Sequence, residues 1–229
     1  GNYFEVLARA ETVVFDKTGT LTKGKFSVVE VKGDVLKLAA IGEAQSNHPI
    51  AKAIVEAYEG ELPMAENYQE LGGYGISYTL AGETVLLGNS RLMEKEHIPY
   101  EKAENIGTVV YVAKNGAFLG HILVADTLKE NIRDSLAALK QQGVKKMVVL
   151  TGDRKETAEV VAKELGLDAV YSELLPQDKV EWMEKLRSDT YKTAFVGDGI
   201  NDAPVLAGAD IGVAMGGIGS DAAIEAAGV

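Results

Sequence analysis

In the second half of the chain, short apolar runs alternate with stretches in which apolar positions recur every three or four residues. The periodic stretches predict helices at 131–142, 155–165, 177–186 and near 202–207, with Gly143 and Gly166 closing the first two. The short runs predict strands at 147–150, 169–171, 193–196 and 211–214. A further run at 12–15, near the start, reads as a strand buried on both faces. Strands alternating with helices of this length build βαβ units, and therefore a parallel sheet with right-handed crossovers.

Between about Lys25 and Ala125 the texture changes. Two helical patterns, 35–44 and 50–58, precede runs at 77–80, 84–87, 109–113 and 118–124. The turn pairs Ala81-Gly82 and Asn115-Gly116 separate these runs and predict antiparallel hairpins. The pattern is that of a separate α+β domain inserted after the first strand of a parallel-sheet domain.

A length of 229 residues allows one large domain or two small ones, and 46% hydrophobic residues argue against disorder. The net charge of −11 is the opposite of a nucleic-acid binder's footprint, so no nucleic-acid partner is expected. With no cysteine there are no disulfides, thiolate nucleophiles or Cys-based zinc sites. No apolar run is long enough to span a membrane and the first residues are not a targeting leader, so the chain as written is expected to be soluble.

The chemistry gathers where strands end. The first strand runs into Asp16-Lys17-Thr18-Gly19-Thr20. A carboxylate at the carboxyl end of a parallel strand lies where α/β sheets place ligands, and a nearby glycine lets backbone N–H groups close around an anion. Asp16 is therefore either a nucleophile or an ordinary turn aspartate. Thr151-Gly152-Asp153 and Gly197-Asp198-Gly199-Ile200-Asn201-Asp202 follow two further strands. Lys179 falls in the first turn of a helix, where the dipole disfavours a cation and some other reason must hold it. Parallel strands would bring Asp16, Thr151, Asp198 and Asp202 to one sheet edge. Carboxylates crowded in this way call for a hard divalent cation, Mg²⁺.

These segments, in this order, resemble the motifs of the haloacid-dehalogenase superfamily, and specifically the phosphorylation domain of a P-type ATPase. The resemblance spans the chain. It implies an α/β fold, a haloacid-dehalogenase-like parallel sheet with an inserted α+β antiparallel-sheet nucleotide-binding domain. The phosphorylation domain would be 1–24 with 126–229 and the nucleotide-binding domain 25–125. Asp16 would take the γ-phosphoryl of ATP as an aspartyl-phosphate. Asp16, the Thr18 carbonyl and Asp198 would hold Mg²⁺. Thr151, in one loop with Gly152, and Lys179 would hold phosphoryl oxygens, with Asp153 and Asp202 in support. Soluble phosphatases of the superfamily carry an acid where this chain has Thr18. ADP leaves without needing a proton, whereas water attack on the phosphoenzyme would lack a base, so a long-lived acyl phosphate is expected.

Ser46-Asn47-His48-Pro49 resembles the Ser-x-His-Pro signature of heavy-metal P-type ATPases. There the His and an upstream Glu, here Glu43, orient the adenine end of ATP. Gly73-Tyr74-Gly75 and Gly88-Asn89 resemble that subfamily's Gly-x-Gly and Gly-Asn pairs, the glycines letting backbone face the base and ribose. The resemblance implies a catalytic fragment of a pump, facing the cytoplasm and lying between two membrane helices. Its partners would be the membrane and actuator domains of the same full-length protein in the cell membrane. The transported heavy metal would bind elsewhere, and the resemblance of Val14-Phe15-Asp16 and of Leu174 to Lys179 to zinc and cadmium pumps implies one of these metals rather than copper. The alternatives are a soluble phosphatase with a cap domain, or a regulatory nucleotide module with an inert Asp16. Three other signals are read as structural. Gly217 to Ala222 fits a dinucleotide fingerprint but lacks the acid expected ~20 residues on and reads as a turn. The charged stretch from Glu94 to Glu104 reads as a solvated face. His97 and His121 read as surface or satisfied sheet residues.

Overall fold

A computed structural model describes residues 3–199 and 201–215; Ile200 and the Gly217 to Ala222 fingerprint lie outside the described residues. The chain divides into two compact units, Gly1–Gly24 with Thr127–Val229, and Lys25–Asp126.

In the first unit a short helix, α1 (Tyr3–Leu7), leads into β1 (Thr12–Asp16). All five residues of β1 are buried, as a central strand covered on both faces requires. After the second unit the chain returns through α5 (Ile132–Gln141), β8 (Lys146–Leu150), α6 (Lys155–Leu165), β9 (Ala169–Tyr171), α7 (Pro176–Leu186), β10 (Thr193–Gly197), α8 (Ala203–Gly208) and β11 (Ile211–Ala214). The strands form one sheet in the order β11-β10-β1-β8-β9, with parallel pairing throughout. Side chains alternate between its faces: Val13, Phe15, Met147, Val149 and Val196 pack in one core, Val14, Val148, Leu150 and Phe195 in another. Gly166, in the left-handed region at φ 65°, closes α6. In register, Asp16 lies opposite Leu150, and Phe15 opposite both Val149 and Val196. The loops after β1, β8 and β10 consequently leave one edge of the sheet side by side.

In the second unit β2 (Thr22–Lys32), β3 (Glu66–Leu71), β4 (Gly75–Leu80), β5 (Glu83–Gly88), β6 (Thr108–Lys114) and β7 (Ala117–Leu128) form a sheet in the order β2-β7-β6-β5-β4-β3. Both predicted turns have positive φ at their two central residues, Ala81 and Gly82 at 49° and 80°, Asn115 and Gly116 at 48° and 79°. That is the type I′ geometry that matches the strand twist. Helices α2 (Leu36–Glu43) and α3 (Pro49–Ala57) share a core with one sheet face through Ile41, Ile54, Tyr78, Leu87 and Val112. The short α4 (Ser90–Lys95) packs with Tyr111 on another core. Two details differ from the pattern reading. The charged stretch after Met93 keeps its acids in solvent but buries Ile98 in that second core. His121 is only partly satisfied: Nε2 lies 3.4 Å from Glu30 Oε2, while Nδ1 is buried without a partner.

Candidate functional site

The first unit gathers its chemistry at the carboxyl edge of β1, β8 and β10. Asp16 is 6% exposed, and its Oδ1 accepts from the Lys17 backbone N–H and from Lys179 Nζ, both at 2.9 Å. Here is the other reason for a cation in the first turn of α7: Lys179 offsets a buried carboxylate. Pro176 at the helix start and Asp178, whose Oδ2 accepts from Leu175 N at 2.8 Å, fix that turn. Lys179 Nζ also lies 4.0 Å from Asp202 Oδ1. Asp202, 2% exposed, accepts from Asp198 N at 3.1 Å, and Asp198 Oδ1 accepts from Asn201 N at 3.2 Å. Burial first, then the hydrogen bond and charge of Asp16, push the Asp202 carboxyl up to about 7, against the pull of the Asp198 N–H and Lys179. Gly197 makes this approach possible, since a Cβ there would sit 2.6 Å from Asp202 Oδ2 and 2.7 Å from the Phe195 ring.

Asp16, Lys179 and Asp202 are thus in direct contact, and Asp198 joins them through its backbone. Thr151 is 2% exposed and its Oγ1 accepts from Asp153 N at 3.1 Å. The Thr151 to Asp153 loop is tied to the following strand end by Leu174 N to Thr151 O at 3.1 Å and Glu173 N to Asp153 O at 2.8 Å; a Cβ on Gly152 would lie 3.3 Å from Leu174 O. Asp153 pairs with Lys17, a buried cation that the motif reading left without a role. The Thr18 side chain is exposed in extended backbone, followed by Gly19 at φ 77°. No three His, Asp or Glu side chains among the described residues form a ready-made metal cage.

The second unit holds a cleft of about 490 Å³ whose walls include Glu43, His48, Gly73, Gly75, Gly88 and Asn89. His48 caps α3: its Nδ1 accepts from Ile50 N at 3.2 Å, which leaves the ring proton on Nε2. Asn89 caps α4 through Oδ1 to Leu92 N at 3.1 Å and donates from Nδ2 to Gly73 O at 2.9 Å, and Arg91 also donates to Gly73 O, at 2.8 Å. Asn89 therefore ties the Gly73 loop to the start of α4, with one end of its amide on each. Gly75 and Gly88 are paired across β4 and β5, and a Cβ on Gly75 would sit 2.0 Å from Leu87 O, one on Gly88 2.1 Å from Tyr74 O. Close strand approach alone demands glycine at both. A Cβ on Gly73, by contrast, would come no nearer than 4.0 Å to anything, the Arg91 guanidinium. Tyr68 and Val110 also line the cleft, and neither carries a pattern that singled it out in the sequence.

A family model described as haloacid dehalogenase-like hydrolase matches residues 10–210. The chain is a haloacid dehalogenase-like hydrolase. This hydrolase is 49% identical over 99% of its length to the cadmium, zinc and cobalt-transporting ATPase of Bacillus subtilis (strain 168), covering 34% of that protein. It is 48% identical to the zinc-transporting ATPase of Synechocystis sp. (strain ATCC 27184 / PCC 6803 / Kazusa), covering 33% of it. It therefore spans about a third of the length of these relatives. Among solved structures, a zinc-transporting PIB-type ATPase in its E2.Pi state superposes with TM-score 0.79 at 38% identity, over 93% of this chain and 37% of that one. The catalytic domain of the CPx-ATPase CopB-B superposes with TM-score 0.67 at 34% identity, over 94% of this chain and 83% of that one. Among the described residues no helix is long and apolar enough to cross a membrane.

Proposed function

We propose that this chain is the catalytic portion of a heavy-metal P-type ATPase, which binds ATP in the Lys25–Asp126 unit and transfers its γ-phosphoryl group to Asp16. The observation that carries the reading is a buried aspartate at the carboxyl end of the central parallel strand, held by Lys179 and crowded by Asp202. Lys17 N–H and Lys179 occupy Oδ1, which assigns attack on the γ-phosphorus to Oδ2. The new bond joins Oδ2 to phosphorus as the bond to the β,γ-bridging oxygen breaks, and ADP departs as the anion. Lys179 offsets the negative charge of carboxylate and phosphoryl group together. Thr151 Oγ1 has a hydroxyl proton to give to a phosphoryl oxygen.

The residues fit a magnesium ion. Burial, and after it the neighbouring Asp16, raise the Asp202 carboxyl to about 7; a divalent cation relieves such carboxylate crowding, and Mg²⁺ favours one or two carboxylates plus phosphate over an all-protein cage. Asp16, Asp198 and the Thr18 carbonyl would hold it, and it would supply charge neutralisation to the transferring phosphoryl. Thr18 stands where a phosphatase needs an acid, so these residues offer no base for water. This supports the pump reading over a soluble phosphatase with a cap domain. By the same reading the membrane and actuator domains of the full-length protein complete the cycle. The cargo is zinc or cadmium, in keeping with the names of the relatives and the zinc-transporting neighbour.

Backbone amide NMR during an ATP titration, with Mg²⁺ added last, tests the assignment. The reading requires shifts around Glu43, His48 and Gly73 on adding ATP, and a separate response near Asp16 and Asp198 on adding Mg²⁺. An Mg²⁺ response with no ATP response in 25–126 would return the choice to the capped phosphatase.

A further inference from the structure

The loop between β1 and β2 carries Asp16 at one end and a turn of defined type in its middle. Thr18 has φ −71° and ψ 124°, and Gly19 has φ 77° and ψ −6°. These are the two central positions of a type II turn over residues 17–20, and the left-handed second position is why glycine stands there. Types I and II differ mainly by a half-turn of the central peptide, here the one that joins Thr18 to Gly19. Type I is the commoner form, so a contact elsewhere in the fold has to select type II.

Thr22 makes that contact. It is fully buried at the start of β2, and its Oγ1 accepts from Gly19 N–H at 3.1 Å. The same Oγ1 lies 3.4 Å from Lys17 O, to which the Thr22 N–H donates. A trans peptide points its N–H and its C=O in opposite directions. Holding Gly19 N–H on Thr22 therefore turns the Thr18 carbonyl away from Thr22. The peptide lies beside Asp198, since a Cβ on Gly19 would sit 3.8 Å from the Asp198 Cβ.

We infer that the Thr22 hydroxyl is a positioning group for magnesium: by holding Gly19 N–H it keeps the loop in the turn that offers the Thr18 carbonyl, alongside Asp198, as a metal ligand. This rests on the reading of Asp16, Asp198 and the Thr18 carbonyl as the Mg²⁺ site. Valine at position 22 has the shape of threonine without the acceptor. Gly19 N–H then loses its partner in the observed turn, and the peptide is released to flip. A loop that offers its carbonyl in only about one molecule in ten binds the metal about tenfold more weakly.

Mg²⁺ alone, titrated into the 229-residue chain and its T22V and T22S variants and followed at the Asp198 backbone amide, reads metal affinity without turnover. Hydrogen exchange at the Gly19 amide of the metal-free proteins reads the turn. The expected result is slow Gly19 exchange in the wild type and T22S, with Mg²⁺ dissociation constants within twofold of each other. T22V should show faster Gly19 exchange and about tenfold weaker Mg²⁺ binding. In labelling by ATP, T22V should need about tenfold more Mg²⁺ yet reach a final level within twofold of the wild type, a split that a general loss of stability does not produce. T22A, which also lacks the hydroxyl, takes the place of T22V should that variant not fold. Wild-type Mg²⁺ affinity in the hydroxyl-free variant would overturn the proposal, as would a T22S variant that binds as weakly. So would a wild-type Gly19 amide that exchanges as fast as an unprotected peptide. Absence of any Mg²⁺ response near Asp16 and Asp198 in the wild type would instead overturn the magnesium reading itself.

Discussion

Replacing Glu43 by Gln changes the stability of the ligand-free protein in a way whose sign and size follow from the structure. The carboxyl is raised from an ordinary 4.5 to about 7. A carboxyl that holds its proton more tightly when folded supports folding fully below pH 4.5, and that support is lost as pH rises through 7. At 1.36 kcal/mol per pK unit, and allowing for partial solvent screening of a group that is not fully buried, the loss between pH 5 and pH 8.5 is about 2 kcal/mol. The Gln side chain fills the same space without ionising, so E43Q escapes the loss. In a unit of about 100 residues, 2 kcal/mol corresponds to a Tm difference of roughly 8 °C. Scanning calorimetry of both proteins across this pH range should show the E43Q transition gaining about that much on the wild type as pH rises, with no such gain below pH 5. Parallel pH profiles for the two proteins would refute the argument that burial keeps Glu43 neutral.

Four further outcomes follow from the same geometry. His48→Ala removes a cleft contact and a helix cap; ATP binding by calorimetry should weaken at least tenfold, while Tm falls only by the equivalent of about 1 kcal/mol. Gly197→Ala drives a methyl against Asp202 and Phe195 and should cost about 1–3 kcal/mol in denaturant unfolding, with the loss confined to the parallel-sheet unit. Asp153→Ala leaves the buried Lys17 ammonium unpaired and should cost about 3 kcal/mol by the same measurement, far more than Glu130→Ala, whose partner Lys23 is exposed. Lys179→Ala should abolish phosphoryl transfer from ATP while leaving the ATP affinity of the Lys25–Asp126 unit within twofold, since its partners Asp16 and Asp202 both belong to the parallel-sheet unit.

Much of the parallel unit was legible because its strands are buried on both faces. The runs at 169–171 and 211–214 and the helix at 155–165 have the expected limits, and β1 gains only Asp16. The hairpin at Asn115-Gly116 follows from residues that tolerate positive φ, whereas at Ala81-Gly82 only the glycine does, and Ala81 takes φ 49° against its own preference. The edge strands β2 and β3 escaped because they are mostly exposed, so lysines, acids and polar residues occupy positions that a core strand would fill with apolar ones. Helices α1 and α4 are too short to show a period. At the site, the ends of parallel strands gave Asp16, Thr151 and Asp198 their common edge from topology alone. Lys17 was overlooked because nothing local marks its pairing with Asp153, which lies 136 residues on. Gly75, Gly88 and Asn89 were picked out by resemblance to a nucleotide motif, yet their immediate duties are strand approach and loop anchoring, which only the folded backbone reveals.

The central claim is that Asp16 is the group that accepts phosphate. Acid-quenched labelling of the chain with γ-labelled ATP and Mg²⁺ tests it most directly, run beside Asp16→Asn. The account predicts an acid-stable, hydroxylamine-labile label in the wild type, none in the variant, and similar ATP affinity in both. A variant that labels as well as the wild type would contradict it.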